Sequence, residues 1–465
     1  MQKGLHGILK LLLVLACCGC FYTCAVKQPT ESEDLQKEAF ANFILPSTWQ
    51  NSIDTLQINN NWLSTFNNPT LDSLVQEALI YNQDLRISSL RVTEANGYVE
   101  SARAALRPAL SILGNESTKL GGDLGSNGLN GGIFAASWEL DIWGKLRSAR
   151  SAEIANYEAI ANENSFAQLS IAAMITKTYY LATETYLQIN LAKEMIKLSQ
   201  DMETISQNRF DVGIGTEIDI ALSKATLNKF NDALFQLELA YNNQLRALEL
   251  LLGRYPCADI ETNTELPESN GHIPAGIPAQ ILERRPDILA AQNRFNAAFY
   301  RVGEANAARL PQLNLTASLG LLDTRQLIVL ADNFSNPIRS IGGKLVAPIY
   351  QGGALKANVN IRNTQQQQAI EVYSQTVLNA LADVESALNA VNTLDSREVN
   401  ILESVKNNER AFELEKIRYK VGKTDMRDLI DQQMDFFKSQ TDLLSIKGEK
   451  IVQRTNLFLA LGGDM

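Results

Sequence analysis

Several short segments of the chain alternate between apolar and polar residues, as β-strands with two different faces do. Apolar residues occupy every second position from Phe134 to Ile142, and a serine and two acidic residues lie among the positions between them. The segment from Leu313 to Leu321 alternates in the same way, and so does 340–349. Because successive side chains of a strand point to opposite sides, each segment predicts a strand with one apolar and one polar face.

Two much longer segments are predicted to be helices. No proline or glycine interrupts the chain between Gly144 and Arg209, or between Gly353 and Lys420. At about 1.5 Å per residue, each helix would be roughly 100 Å long, which a compact domain of this size does not accommodate. In the second segment an apolar residue recurs every seven positions from 377 to 419, with Glu398 as the single exception. This spacing predicts helices that pack side by side as in a coiled coil.

The chain also repeats its own plan. Asp84 matches Asp287 at an offset of 203 residues, and Gly213 matches Gly422 at an offset of 209. A repeat of this length predicts two halves with similar structure. In chain order, we expect a signal peptide at 1–19, an N-terminal extension at 20–61, a first repeat at 62–265, a linker at 266–282 and a second repeat at 283–465.

Each repeat is expected to contain a short helix, two strands, a long helix, a glycine-containing turn and another long helix. The strands of the first repeat are expected within 109–143 and its long helices at 144–209 and 217–252. The strands of the second are expected within 311–350 and its long helices at 353–420 and 426–461.

The first two dozen residues predict an exported lipoprotein. A positively charged start is followed by a short apolar run and by cysteines at positions 17, 18, 20 and 24, which resembles a lipoprotein signal. Gly19 before Cys20 leaves the longer apolar core, whereas Ala16 before Cys17 is the better local match. We take Cys20 as the expected lipid anchor and Cys17 as the alternative. An ordinary cleaved signal with incidental cysteines is a further possibility.

Composition excludes several classes of function. The formal net charge is -10, whereas nucleic-acid binding needs a basic surface. His272 is the one histidine beyond the signal, and Cys257 is the one cysteine outside the N-terminal cluster. These are too few for catalysis by histidine or cysteine, for a disulfide framework or for a metal site. No run of about 20 apolar residues is present, so a transmembrane helix is not expected. We therefore predict a protein that is not an enzyme and that holds no metal or cofactor.

The strands fit a transmembrane barrel, with lipid outside and water inside. Segments of about ten residues with one apolar face are typical of barrel strands, and a lipoprotein signal favours this interpretation over a soluble sheet. Trp138, Leu315 and Leu319 are then expected to face the membrane. Four strands per chain cannot close a barrel, which needs about eight, so we expect an oligomer. Three chains would supply twelve strands, and two or four chains are not excluded by the count.

Five motifs in order resemble the TolC family of outer-membrane efflux channels, in its lipoprotein branch (NodT or OprM type). They are NWLSTFNNPTLDSLVQEALIYNQDL, SWELDIWGKLR, ERRPDI, PIYQGG and RYKVGKTDMRDLID. The resemblance extends from about Trp62 to Gly462. The N-terminus departs from the family, since CCGCFYTCAVKQP stands where a Gly-Cys pair followed by Pro and Tyr is common.

The resemblance implies a mixed α+β membrane protein in which a homotrimer forms a twelve-stranded barrel and a periplasmic α-barrel of long helices. Such a channel lies in the bacterial outer membrane, anchored by lipid, and extends into the periplasm. It passively conducts small molecules as the exit duct of a tripartite pump, with a periplasmic adaptor (membrane fusion protein) and an inner-membrane RND-type transporter. Alternatives are a type I protein secretion channel beside an ABC transporter, and a structural coiled-coil surface lipoprotein.

Within this family the turns between the long helices dock the adaptor, which assigns that role to two segments here. A glycine in each turn can end one helix in the left-handed conformation, and Thr216 and Thr424 can cap the next. Two nearby acids, Asp211 and Glu415, are candidates for an entrance gate. The expected docking residues are Val212, Gly213, Gly215, Thr216, Val421, Gly422 and Thr424.

Overall fold

The computed structural model describes residues 26–29, 32–41, 43–50, 61–115, 130–268, 274–323 and 337–463. The predicted signal peptide and both candidate lipid anchors, Cys17 and Cys20, lie outside the described residues.

Fourteen elements make up the described chain, a 3-10 turn included. In the first half they are α1 (Ser32–Ala39), the 3-10 turn (Trp62–Phe66), α2 (Pro69–Tyr81), α3 (Gln83–Ala104), β1 (Ala109–Asn115), β2 (Asn130–Leu140), α4 (Lys145–Asp211) and α5 (Glu217–Leu252). In the second half they are α6 (Pro278–Arg284), α7 (Pro286–Ala307), β3 (Gln312–Asp323), β4 (Pro337–Val346), α8 (Ala354–Lys420) and α9 (Met426–Ala460). Two strands and two long helices in each half confirm the predicted fold class.

The residues form two compact units. The first combines the ranges Met1–Phe43, Leu90–Asn162 and Ala290–Gln375, and it contains the sheet. The second combines Ile44–Ser89, Glu163–Leu289 and Thr376–Met465, and it contains both turns between long helices. None of the described helices is both long and apolar enough to cross a membrane.

The four strands form one antiparallel sheet in the order β1-β2-β3-β4. Trp138 pairs with Leu315, and Leu315 pairs with Gly343, so these residues share a face. Following the register gives a mainly apolar face made by Leu110, Ile112, Phe134, Trp138, Leu315, Leu319, Ile341 and Leu345, with the charged Arg339 opposite Leu319 on the same face. The opposite face carries Ser111, Ser137, Glu139, Asn314, Thr316, Ser318, Ser340 and Lys344. The predicted two-faced strands are therefore confirmed.

The second unit is held together by side chains that meet between its long helices. Phe412 and Tyr419 of α8, two residues of the seven-residue repeat, are each 1% exposed. They belong to an apolar cluster with Met202 of α4, Phe230 of α5 and, from α9, Phe436. Burying a side chain of this size stabilises a fold by about 1.5–3 kcal/mol. The heptad spacing thus marks the residues at which the helices pack.

Glu398, the exception in that spacing, has a partner on the neighbouring helix. Lys450 of α9 places its Nζ 2.9 Å from Glu398 Oε2 and 2.6 Å from Asp395 Oδ1, and its side chain is only 7% exposed. Burial lowers the pKa of Lys450, but the hydrogen bonds to the two carboxylates outweigh burial and the pKa is raised. An ion pair therefore replaces an apolar contact at this level of the helices.

Candidate functional site

The first turn between long helices follows α4 and is closed by two glycines. Gly213 has a φ of +80°, the left-handed region that glycine adopts at low cost. The amides of Ile214 and Gly215 both donate to the carbonyl of Arg209, at 3.0 and 2.9 Å, which satisfies the end of the helix. A Cβ on Gly215 would lie 2.7 Å from the amide nitrogen of Phe210, so this position requires glycine.

Thr216 caps the next helix, α5, as the sequence predicted. Its hydroxyl accepts from the amide of Asp219 at 3.2 Å, and the Asp219 carboxylate accepts from the Thr216 amide at 3.1 Å. Together these bonds form a capping box, which satisfies two backbone donors at the start of the helix.

The second turn is built in the same way, with one difference from the prediction. Gly422 has a φ of +76°, and its amide donates to Tyr419 O at 3.0 Å. The residue that caps α9 is Asp425, whose carboxylate accepts from the amide of Asp428 at 3.0 Å. Thr424 instead donates its hydroxyl to the Asp428 carboxylate at 2.8 Å. The repeat offset of 209 pairs Asp425 with Thr216, so the cap could have been assigned from the repeat.

Apolar side chains point into solvent at both turns. Val212 is 70% exposed, Ile214 63%, Ile218 66% and Val421 63%. These residues lie at the ends of helices whose other apolar residues are packed against neighbours, as the buried Tyr419 illustrates. A group of exposed apolar residues on a hydrogen-bonded turn is typical of a surface that binds another protein.

Arg209 joins the two turns, which the sequence did not predict. Its Nη1 donates to Tyr419 O at 2.8 Å, and its guanidinium carbon lies 4.6 Å from the centre of the Tyr419 ring. Its Nη2 donates to Ile214 O in the first turn, at 3.4 Å. Burial raises the pKa of the Tyr419 hydroxyl, which lies 3.5 Å from Ser206 Oγ.

The two candidate gate acids lie in different surroundings. Asp211 is exposed and accepts a hydrogen bond from Gln207 at 2.9 Å. Glu415 is 8% exposed, and its Oε2 lies 2.9 Å from Arg418 Nη1 on the same helix. Of the two, only Asp211 presents its charge to solvent in one chain.

The junction between β2 and α4 explains the acids of the SWELDIWGKLR motif. Strand β2 ends at Leu140, and Asp141 caps the following helix by accepting from the amides of Leu146 and Arg147, at 3.0 and 2.9 Å. Glu139 pairs with Lys145 at 2.6 Å. The alternation predicted a strand up to residue 142, which is two residues beyond the end of β2. The prediction was too long because Asp141 continues the alternation although it serves as a helix cap, a position that also favours aspartate.

Two tryptophans form hydrogen bonds to the backbone at the same junction. Trp138 donates from Nε1 to Leu106 O at 2.9 Å, and Trp143 donates to Pro311 O at 2.7 Å. Both rings remain partly exposed, at 38% and 42%. An exposed ring with a satisfied N–H is the arrangement that tryptophan adopts at membrane interfaces.

Comparison with known proteins identifies the family of this chain. A family model described as outer membrane efflux protein matches residues 74–254 and 277–463. The toluene efflux pump outer membrane protein TtgC of Pseudomonas putida is 25% identical over 421 residues, which cover 89% of this chain and 87% of that protein. The cation efflux system protein CusC of Escherichia coli is 28% identical over 473 residues, which cover 98% of each.

A solved structure shows the same fold. The outer-membrane channel OprN has a TM-score of 0.83 at 21% sequence identity, and the match covers 94% of this chain and 99% of that one. The matched family is one of channels and not of enzymes. The chain belongs to the outer membrane efflux protein family of TolC-like channels, and it is the outer-membrane component of an efflux pump.

Proposed function

We propose that three copies of this chain close a twelve-stranded barrel in the outer membrane. The sheet supports this proposal because β1 and β4 are its edges, and within the described part of the chain no strand pairs with their outer sides. Apolar residues on these edges are strongly exposed, with Leu110 at 83% and Ile341 at 93%. Unpaired backbone groups in lipid cost several kcal/mol each, so the edges need partners, and a second and third copy supply them.

A mass measurement tests the assembly. The purified chain in mild detergent is expected to be a trimer by native mass spectrometry or by light scattering corrected for detergent. A monomer or a dimer as the main species would contradict the proposed barrel.

We propose that the two turns dock a periplasmic adaptor, through which an inner-membrane RND-type transporter delivers its substrates. The observation that carries this proposal is the exposure of Val212, Ile214 and Val421 on turns that Arg209 ties together. Because hydrogen bonds fix the backbone of these turns, little backbone entropy is lost when a partner binds them. The exposed Asp211 carboxylate is our candidate for a cation-selective entrance. Glu415 is the weaker candidate because Arg418 already neutralises it.

The substrate class proposed here is small molecules. TtgC is named for toluene and CusC for cations. These substrates differ in charge and polarity but are both small.

Export in cells tests the docking surface. Val212→Asp and Val421→Asp each place a charge on an exposed position without changing the left-handed glycines. We expect normal trimer levels in the membrane and loss of export, because a buried unpaired charge is costly at an interface. Val399→Asp is the matched control, since Val399 lies on α8 and is 68% exposed. Normal export by both turn variants would contradict docking at the turns.

Substitution of the turn glycines is a less direct test. The φ values of Gly213 and Gly422 are positive, and any larger residue there strains the turn by about 1–3 kcal/mol. Loss of export in Gly422→Trp would therefore report either a deformed turn or a blocked surface.

We further propose a lipid anchor at Cys20, with Cys17 as the alternative. The described residues nearest to these cysteines support a position beside the strand–helix junction. Val26 packs over Gly144, and Gln28 accepts a hydrogen bond from Tyr300 at 3.0 Å. Metabolic labelling with a fatty-acid analogue is expected to mark the N-terminal peptide, and Cys20→Ser is expected to remove the label. If Cys20→Ser keeps the label and Cys17→Ser loses it, Cys17 is the anchor.

A further inference from the structure

A charged residue lies on the mainly apolar face of the sheet. Arg339 of β4 pairs with Leu319 of β3, and Leu319 pairs with Phe134 of β2, so the arginine belongs to an otherwise apolar row. Its side chain is exposed, and among the described residues it makes no hydrogen bond or ion pair. An arginine that faces lipid is costly in the hydrocarbon layer, so this one needs an anionic partner there.

Acidic residues are scarce around Arg339. On its own face the nearest acid in the register is Asp323, the last residue of β3, which lies four positions beyond Leu319, or about 13 Å further along the strand. In the proposed barrel β4 pairs with β1 of a second copy, and β1 contains no acidic residue. The strands that flank Arg339 in such a barrel therefore offer it no neighbouring carboxylate.

A shallow depression of about 350 Å³ lies beside Arg339 on this face. Two small residues that pair with each other, Ala136 and Ala317, form its floor. Each of the four strands adds a large apolar side chain to its walls, and these are Leu110, Phe134, Leu319 and Ile341. Its volume is that of a small ligand site, which is about 300–1,000 Å³. The apolar walls fit a segment of an acyl chain, and Arg339 adds a cation at the edge.

The position of Arg339 along β4 indicates which leaflet of the membrane it faces. Arg339 is the third residue of β4, so it lies toward the end at which β3 and β4 are connected. The long helices α4 and α8 follow the opposite ends of β2 and β4. With these helices in the periplasm, where the proposed adaptor docks, Arg339 lies toward the outer leaflet. Its long side chain can extend from there to the lipid headgroups.

We propose that Arg339 and this depression bind the lipid A part of a lipopolysaccharide molecule in the outer leaflet. The guanidinium would donate paired hydrogen bonds to a lipid A phosphate, a group whose geometry it matches. One acyl chain would lie over Ala136 and Ala317. This inference rests on the proposed barrel, and it adds a specific lipid to the outer surface of that barrel.

Native mass spectrometry of the purified protein with added lipids tests the inference. The probes are lipid A, phosphatidylglycerol and phosphatidylethanolamine. We expect lipid A to bind most tightly, because a phosphate monoester carries about 1.5 to 2 negative charges at pH 7 and the phosphodiester of phosphatidylglycerol carries fewer. Inorganic phosphate, added as a competitor, should not displace lipid A, because it has no acyl chain.

Variants assign the binding to the arginine and to the depression. Arg339→Gln is expected to weaken lipid A binding about tenfold, as the loss of a charged hydrogen bond would. Ala317→Leu fills the floor of the depression and should also weaken binding, although the charge is kept. Lys344→Gln is the matched control, because Lys344 is exposed on the opposite face of β4, and it should bind lipid A like the wild type.

Three results would overturn the inference. They are equal binding of lipid A to the wild type and to Arg339→Gln, binding of phosphatidylglycerol as tight as that of lipid A, and displacement of lipid A by inorganic phosphate. The mass of the assembly separates these results from a failure of the barrel. If the main species is not a trimer, the barrel is wrong and this inference falls with it. An intact trimer whose Arg339→Gln variant keeps its lipid A removes this inference alone.

Discussion

The guanidinium of Arg209 lies over the ring of Tyr419, 4.6 Å from its centre, and donates to the Tyr419 carbonyl at 2.8 Å. Arg209 belongs to the first repeat and Tyr419 to the second, so one side chain couples the ends of two helix pairs. Its counterpart in the repeat, Arg418, pairs with Glu415 on its own helix instead. Two equivalent arginines therefore have different roles.

Arg209→Ala is expected to lower the free energy of local opening of the first turn by about 1–3 kcal/mol, because it removes a cation–π contact and a charged hydrogen bond. Hydrogen exchange of the amides at 213–216 measures this change and should become faster. Arg418→Ala is the control, and exchange at 213–216 should stay as in the wild type. Equal acceleration in both variants would show that Arg209 does not hold the turn.

Lys450→Met is expected to destabilise the protein by about 3 kcal/mol, because it leaves the carboxylate of Glu398 partly buried without its partner. Chemical denaturation of the purified protein in detergent measures the free energy of unfolding. Adding Glu398→Val restores the apolar spacing of α8, and we expect it to recover most of the loss. If the double variant is as unstable as Lys450→Met, the ion pair is not the source of the effect.

Glu184→Gln is expected to change the pH dependence of stability. Burial raises the pKa of Glu184, whose Oε1 accepts from Gln188 at 2.9 Å and from Ser445 at 3.0 Å. A carboxyl with a raised pKa in the folded state stabilises the fold while protonated, and this contribution is lost as pH rises through the folded pKa.

The variant should therefore gain thermal stability relative to the wild type as pH rises above about 4.3, the ordinary pKa of a glutamate, because glutamine cannot ionise. The midpoint of thermal unfolding, measured for both proteins at several pH values in this range, gives the difference. Glu403→Gln, at an exposed residue, is expected to show no such trend. A constant difference between Glu184→Gln and the wild type would contradict the prediction.

Leu315→Arg is expected to lower the level of the protein in the outer membrane, because a cation on a lipid-facing strand costs about 2–4 kcal/mol near the bilayer midplane. Thr316→Arg is the matched control on the opposite face, where it pairs with Ser137 and Gly342. Quantitative blots of membrane fractions compare the two. A similar loss in both variants would reject the assignment of Leu315 and Trp138 to the lipid face.

Periodic patterns in the sequence were sufficient to predict the sheet and the long helices. The alternation of apolar and polar residues predicted the two faces of β3. The apolar residues at every seventh position predicted that Phe412 and Tyr419 are buried. Both predictions succeed because each pattern reflects which side of an element is packed. The end of β2 was predicted too late, since Asp141 continues the alternation while serving as a helix cap.

Contacts between distant side chains could not be predicted in the same way. The sequence marks Arg209 and Arg418 as equivalent, but their partners depend on how the helix ends approach each other. Glu398 was visible as an irregularity, whereas its partner Lys450 lies 52 residues further on. A single sequence carries no signal that joins such a pair.

Having both repeats on one chain has a consequence for how these turns can evolve. In a ring of identical single-repeat subunits, every substitution would appear at all turns at once. Duplication and fusion remove that constraint, because a mutation at Lys423 leaves Ile214 unchanged. Each half can then acquire its own side chains while both keep the same backbone geometry. The two turns can therefore remain similar in structure and differ in the residues that they expose.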